Sequence, residues 1–318
     1  MKMRALGQTD LQIAPIVFGG NVFGWTIDEA RSFEILDAFV AEGYNCIDTA
    51  DVYSSRVPGN QGGESETILG RWMKARGNRR NIVLATKLGS PMGPDKKGLS
   101  KAYIMEAVEA SLKRLQTDYI DLYQAHRDDK DTPLEETLSA FDALIRQGKV
   151  RAIGASNYEA DRLSSALEIS KSRGLHRYES LQPEYNLYDR AHFESGLEKI
   201  CREQGIAVIP YYSLASGFLS GKYRSAEDVT KSPRGEGIKN KYLNERGLRI
   251  LKALDEVAAE TRSNPTQVAL AWLLHQPSIT APIVSATTRE QLRDLVQAPR
   301  LELSQEALSR LTQASDLG

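Results

Sequence analysis

At 318 residues the chain has room for one large domain or two ordinary ones, and its 41 basic against 42 acidic residues, with no long run of either sign, leave no electrostatic footprint for nucleic acid or an anionic membrane. Only two cysteines occur, Cys46 and Cys201, in separate segments, so no disulfide framework is encoded and a reducing compartment is favoured. The start of the chain, Met1 to Gln8, carries no apolar signal segment, and no run of about 18 apolar residues is present to span a bilayer, so a cytoplasmic protein with a small-molecule partner is expected.

A short hairpin is predicted first, roughly Arg4 to Leu6 against Leu11 to Ile13 across Gln8-Thr9-Asp10. Short β-rich runs then alternate with longer helical patterns, as parallel βα units require. The candidate strands are Ile16 to Gly19, Asn45 to Thr49, Ile82 to Thr86, Tyr119 to Ala125, Val150 to Ala155, Ser180 to Gln182, Ala207 to Pro210 and Ile279 to Ile283. Helical patterns occupy Glu29 to Ala41, Lys101 to Leu115, Arg162 to Arg173, Phe193 to Gln204 and Leu248 to Thr261.

Another helix is expected after Thr132, with Thr132 as N-cap, Pro133 in the first turn, Glu135 completing a capping box and Gly148 as the stop. In it Leu138, Phe141, Leu144 and Ile145 recur at the spacing of one buried face. Additional helices are predicted near Pro265 to His275 and Gln305 to Ala314. Eight strands in this alternation predict an α/β fold, a (β/α)8 TIM barrel with an N-terminal β-hairpin and extra C-terminal helices. With no composition shift that reads as a linker, residues 1–318 form a single domain in this reading. The loops Val52 to Gly63, Leu88 to Leu99 and Gly221 to Asn244 follow strands and so belong to the functional face.

Asp48, Lys87 and His126 close strand-like runs, and Tyr53 lies in the loop just after Asp48. In a parallel barrel all strand C-termini open onto one face, which can gather these four. A tyrosine hydroxyl ionises near pH 10, so it serves as a proton donor at neutral pH when a neighbouring cation stabilises the phenolate. Lys87 can be that cation, held by Asp48, while His126 orients a carbonyl oxygen. Each residue alone has an ordinary structural use, as a cap, a rim charge or a satisfied histidine. Their joint position after consecutive strands is what carries weight.

Asp48-Thr49-Ala50-Asp51-Val52-Tyr53, Ala85-Thr86-Lys87, Asp118 to His126 and Gly148 to Asn157 resemble successive signatures of the aldo-keto reductase family, in order and across nearly the whole chain. The resemblance implies reversible reduction of aldehydes or ketones by hydride transfer from NADPH, without a metal. Tyr53 would be the general acid, Lys87 the cation that lowers its pKa, Asp48 the partner of Lys87, and His126 the substrate aligner. It also implies that Ser156, Asn157 and Gln182 hold the nicotinamide carboxamide, that Tyr211 stacks on the ring, and that Gly20, Asn21 and Asp48 contribute nearby.

No Gly-x-Gly-x-x-Gly follows the first strand, which removes a Rossmann site and leaves the cofactor to loops at the barrel end. The segment Leu214 to Lys222 resembles the family's pyrophosphate loop, with Ser213, Leu214, Ala215, Gly217 and Lys222 as its contacts. The family commonly has Ser-Pro after the stacking tyrosine, where this chain has Tyr212-Ser213. Ser285, Thr287, Thr288, Arg289 and Gln291 resemble the adenosine end. There Thr287, Thr288 and Arg289 would hold the 2′-phosphate that separates NADP from NAD, at a helix N-terminus suited to anions.

Phe23 and Trp25 are candidates for an apolar substrate wall beside Tyr53 and His126, with Arg56 and Tyr188 as further shaping residues. A monomer is expected, a homo-oligomer being the alternative. Barrels of this kind also serve as auxiliary subunits of potassium channels, the competing function. The histidines His126, His176, His192 and His275 show no metal-ligand spacing, which sets a metal-dependent reading aside.

Overall fold

The computed structural model describes residues 1–232 and 234–316. Strands β1 (Arg4–Ala5) and β2 (Gln12–Ile13) pair antiparallel as the predicted hairpin. The remaining strands, β3 (Val17–Gly19), β4 (Cys46–Asp48), β5 (Val83–Leu88), β6 (Ile120–Ala125), β7 (Val150–Ser156), β8 (Tyr178–Gln182), β9 (Ala207–Val208) and β10 (Ile283–Val284), form one parallel 8-stranded sheet. Its order is β10-β3-β4-β5-β6-β7-β8-β9. The two edges meet, because Thr280 N–H donates to Val208 O at 2.8 Å and Ile283 N–H donates to Pro210 O at 2.9 Å. The sheet therefore closes into the barrel of a (β/α)8 fold. Closure uses residues 279–283 in a largely irregular stretch, so only Ile283 of the predicted last strand Ile279 to Ile283 lies in regular ladder, which extends one residue further to Val284.

Strand periodicity explains what faces inward. Val17, Cys46, Val83, Ala85, Leu122, Ala152, Ala207, Ile209, Ala281 and Ile283 form a small cluster inside the barrel, joined by Leu6, Leu11 and Ile13 of the hairpin. Side chains alternate along a strand, so Asp48, Lys87 and Gln124 point inward as Cys46, Ala85 and Leu122 do, one layer higher. The intervening residues Phe18, Ile47, Leu84, Tyr123 and Ile153 face the helices in the larger core. Room for the polar layer comes from Gly154, where an added Cβ would lie 2.2 Å from Ser180 Oγ and 3.2 Å from Gln124 Cγ.

The helices are α1 (Glu29–Ala41), α2 (Glu64–Arg76), α3 (Lys101–Leu115), α4 (Leu134–Arg146), α5 (Ala160–Arg173), α6 (Glu198–Gln204), α7 (Gly235–Tyr242), α8 (Glu245–Thr261), α9 (Pro265–His275), α10 (Arg289–Gln297) and α11 (Gln305–Ala314). A π-helical turn over Phe193–Leu197 precedes α6 and breaks the single helix predicted there. The predicted capping box of α4 does not form. Pro133 is its N-cap without a side-chain bond, and Thr132 Oγ1 instead donates at 2.7 Å to Asp129 Oδ2. That carboxylate also accepts from Leu99 N–H at 2.7 Å, so Thr132 is drawn into a loop-to-loop tie.

Two helices among the described residues lie where the sequence predicts none. One is α2, whose buried face includes the charged Glu66. The other is α7, inside the segment read as the loop Gly221 to Asn244. No helix among the described residues is long and apolar enough to cross a membrane.

Candidate active site

Asp48 ends β4, Lys87 is the penultimate residue of β5, His126 follows β6, and Tyr53 stands in the loop between β4 and α2. Neighbouring strands are in register, Gly19 beside Asp48 and Asp48 beside Ala85, so these ends lie at one rim. Lys87 is fully buried and its ammonium has three acceptors, Asp48 Oδ2 at 2.6 Å, Thr49 O at 2.8 Å and the Tyr53 hydroxyl oxygen at 2.8 Å. An ammonium has three N–H donors, so all are used and the tyrosine oxygen is fixed by a charged donor. The second oxygen of Asp48 accepts from Gln124 Nε2 at 3.0 Å and Gln182 Nε2 at 3.1 Å. A buried carboxylate with this many donors is a rigid anchor.

The Tyr53 pKa moves upward, contrary to the expected lowering. Burial raises it most, Lys87 opposes that, and Asp48 and Tyr212 add to the rise. Tyr53 therefore keeps its proton throughout the neutral range. Burial alone would lower the Lys87 pKa, but Asp48 and Tyr53 outweigh it and the net shift is upward, so the ammonium persists. His126 is pushed well below its usual range by burial and then by the Lys87 and Arg127 charges, which makes it a neutral imidazole at pH 7. Its ring lies 6.0 Å from that of Tyr53, edge-on at 79°, and its Nδ1 is buried without a hydrogen-bond partner among the described residues.

The predicted nicotinamide group is also brought together. Ser156 Oγ donates to Gln182 O at 2.8 Å, Asn157 Nδ2 to His126 O at 2.8 Å, and Tyr211 OH to Asn157 Oδ1 at 2.8 Å. Gln182 spends Nε2 on Asp48 and on Gln124 Oε1, the latter at 3.0 Å, so its side chain can serve an incoming group only as an acceptor. A cavity of about 380 Å³ opens beside Asn157 and Tyr211, with Glu184, Tyr188 and Arg190 in its wall. None of the four catalytic candidates lines it.

Non-glycine residues with positive φ concentrate here. Ser54, Asn157, Tyr212, Ala215 and Ser216 all lie in loops after strands, whereas Gln116 and Arg262 are helix C-caps. Such conformations persist where surrounding structure fixes them, commonly at binding sites. Along the predicted pyrophosphate loop, Ala215 is buried and Leu214 partly so, while Gly217 (φ 102°) lies close to Lys222. Lys222 places its ammonium 5.0 Å from the Tyr223 ring centre. Ser213 turns inward, donating to Pro210 O at 3.0 Å.

At the predicted adenosine end, Ser285 Oγ lies 2.7 Å from both Gly19 O and Asn21 Oδ1, beside Gly20 in the turn after β3. Thr288 caps α10 by accepting from Gln291 N–H at 3.2 Å, and Gln291 Oε1 accepts from Thr287. Arg289 is exposed, its nearest carboxylate being Glu34 at 3.7 Å.

The expected aromatic wall is only half present at the surface. Phe23 is fully buried against Phe18, with ring centres 5.6 Å apart, because the turn at 20–22 folds it under the barrel edge. Trp25 remains 40% exposed, with the Arg234 guanidinium 5.0 Å from its ring centre. Gln124, which joins Asp48 to Gln182, escaped the reading by motif. Its signal was a polar residue at the inward parity of β6.

A family model described as "Aldo/keto reductase family" matches residues 15–316. The chain is 35% identical to a Bacillus subtilis protein described as uncharacterized oxidoreductase YrpG, over 98% of this chain and 95% of that one. It is 32% identical to a probable voltage-gated potassium channel subunit beta from Arabidopsis thaliana, over 94% and 91% of the two chains. It is 32% identical to norsolorinic acid reductase from Aspergillus flavus, over 96% of this chain and 78% of that enzyme. With its strand-end constellation on a closed parallel barrel, and a family match over nearly its full length, the chain belongs to the aldo/keto reductase family.

Proposed function

We propose that the protein is an NADPH-dependent oxidoreductase that reduces aldehydes or ketones to alcohols, reversibly, with Tyr53 as proton donor. The observation that carries this reading is the buried Lys87 ammonium held between Asp48 Oδ2 and the Tyr53 hydroxyl. The residues fit a nicotinamide group. Gln182 offers an acceptor, Ser156 and Asn157 offer polar atoms at adjacent strand ends, and Tyr211 is the aromatic face beside them. Bound there, the reduced nicotinamide would supply hydride to the carbonyl carbon.

The chain's residues account for the oxygen end. Tyr53 retains its proton at neutral pH and delivers it to the carbonyl oxygen. Lys87 stabilises the phenolate left behind, and Asp48, fixed by Gln124 and Gln182, keeps the ammonium in place. His126, neutral and edge-on to Tyr53, orients the carbonyl without adding a competing charge. Oxidation of an alcohol would run the same proton path backwards.

NADPH consumption across a panel of aldehydes and ketones tests the reading, with turnover of at least one carbonyl as the expected result. If NADPH bound but no carbonyl were reduced, the auxiliary-subunit function suggested by the Arabidopsis relative would replace it. For the choice of NADPH, Arg289→Ala should weaken NADPH binding about tenfold or more, the loss of a charge-assisted contact, and leave NADH binding unchanged. Equal NADPH affinity in a titration of both proteins would sink that assignment.

A further inference from the structure

Asp51 lies between Asp48 and Tyr53 on the same turn, yet the proton path does not use it. It is 1% exposed, and neither carboxyl oxygen has a hydrogen-bond partner among the described residues. Its backbone N–H donates to Lys87 O at 3.1 Å, tying the Tyr53 turn to the strand that carries the ammonium. A buried polar group left without a partner normally has a reason.

The groups facing it come from every neighbouring element. Glu66 of α2 is fully buried and takes Arg114 Nε of α3 and Thr86 Oγ1 of β5, both at 2.6 Å. Tyr123 of β6 has a buried hydroxyl without a partner among the described residues, and Tyr103 of α3 and Lys87 of β5 are further ionisable neighbours. The Arg114 guanidinium donates to Glu66 Oε2 and to Ser111 Oγ and makes no hydrogen bond to Asp51. A second anion at Asp51 would have no cation bonded to it and no aligned donor, since the neighbouring Val52 N–H, although close enough to favour the anion slightly, makes no hydrogen bond to it.

Resting on the reductase reading, we infer that Asp51 is a positioning residue for Tyr53 and acts as a neutral carboxylic acid packed beneath the turn. Ionising it forces the carboxylate to seek solvent or Arg114. The turn over residues 50–54 then shifts, and the Tyr53 hydroxyl leaves the Lys87 ammonium. Burial first, and then the Glu66 charge, push the Asp51 pKa up to about 8. An acid whose folded pKa is raised loses stability as pH rises from its unfolded value, here 3.8, to about 8, because the unfolded chain releases a proton that the folded one keeps.

The test compares wild type with Asp51→Asn, whose amide mimics the neutral acid. With NADPH and a reducible aldehyde, wild-type kcat should fall about tenfold between pH 7 and pH 9, as an acid of pKa about 8 ionises. The kcat of Asp51→Asn should match wild type at pH 7 and stay flat. The melting temperature of the variant should exceed that of wild type by a margin that widens from pH 4 to pH 8. The same alkaline fall in both proteins would overturn the inference, and so would a melting margin independent of pH. If neither protein reduces any carbonyl, the melting margin decides alone, because it does not depend on turnover.

Discussion

Tyr53→Phe should lower kcat for carbonyl reduction by about 10²–10⁴-fold, the usual worth of a positioned general acid, while NADPH affinity and folding are retained. The substitution removes one oxygen and leaves the ring edge-on to His126. Lys87 loses one of three acceptors and keeps Asp48 Oδ2 and Thr49 O, so no buried ammonium is stranded. The raised pKa of Tyr53 sets that residue's own share of the pH dependence. The donor proton is present at every pH below the ordinary tyrosine value of 10.0, so Tyr53 itself produces no alkaline limb between neutrality and that value. His126, already neutral, produces no acid limb near 6.5. A pH–rate profile of Asp51→Asn, which lacks the alkaline fall assigned to Asp51, with single-turnover kinetics of wild type and Tyr53→Phe, measures each point. Equal turnover in the phenylalanine variant would remove Tyr53 from the proton path.

Much of this site was legible in the sequence because strand parity is local. Cys46 and Asp48 lie two positions apart, as do Ala85 and Lys87, and the inward layer follows from the period of the strand. What escaped depends on partners distant in the chain. Helix α2 was missed because Glu66 interrupts its apolar face, and the burial of Glu66 is allowed by Arg114, 48 residues away. Thr132 looked like a helix cap until Asp129, fixed by Leu99, claimed its hydroxyl.

The direction of the Tyr53 shift followed the same logic. A neighbouring lysine argues for lowering, and only the depth of burial, a property of the whole barrel, reverses it. Phe23 and Trp25 sit two apart in a loop after β3. Whether either faces the mouth depends on a single 3₁₀ turn, and that turn buries one and exposes the other.

The second large effect is expected at the ion pair. Lys87→Met leaves Asp48 Oδ2 buried at 1% exposure without its cation, and breaking such a pair should destabilise the fold by about 3–5 kcal/mol. On the Lys87 side the raised pKa means the ammonium's contribution is fully present below the free-lysine value of 10.5 and is lost as pH rises through the higher folded value. The kcat of the variant should fall at least as far as that of Tyr53→Phe, because the phenolate loses its cation.

A loss of activity in Lys87→Met alone would mix folding with chemistry, and the double variant Asp48→Leu/Lys87→Met separates them. Replacing a buried pair by apolar residues of similar size removes both desolvation costs, so urea denaturation should show stability recovered in part. Recovery stays partial because Gln124 and Gln182 lose their shared acceptor, Asp48 Oδ1. Turnover should not recover at all. A double variant that regained both stability and turnover would show that the pair serves the fold alone, and the proton path through Tyr53 would then need a different source of phenolate stabilisation.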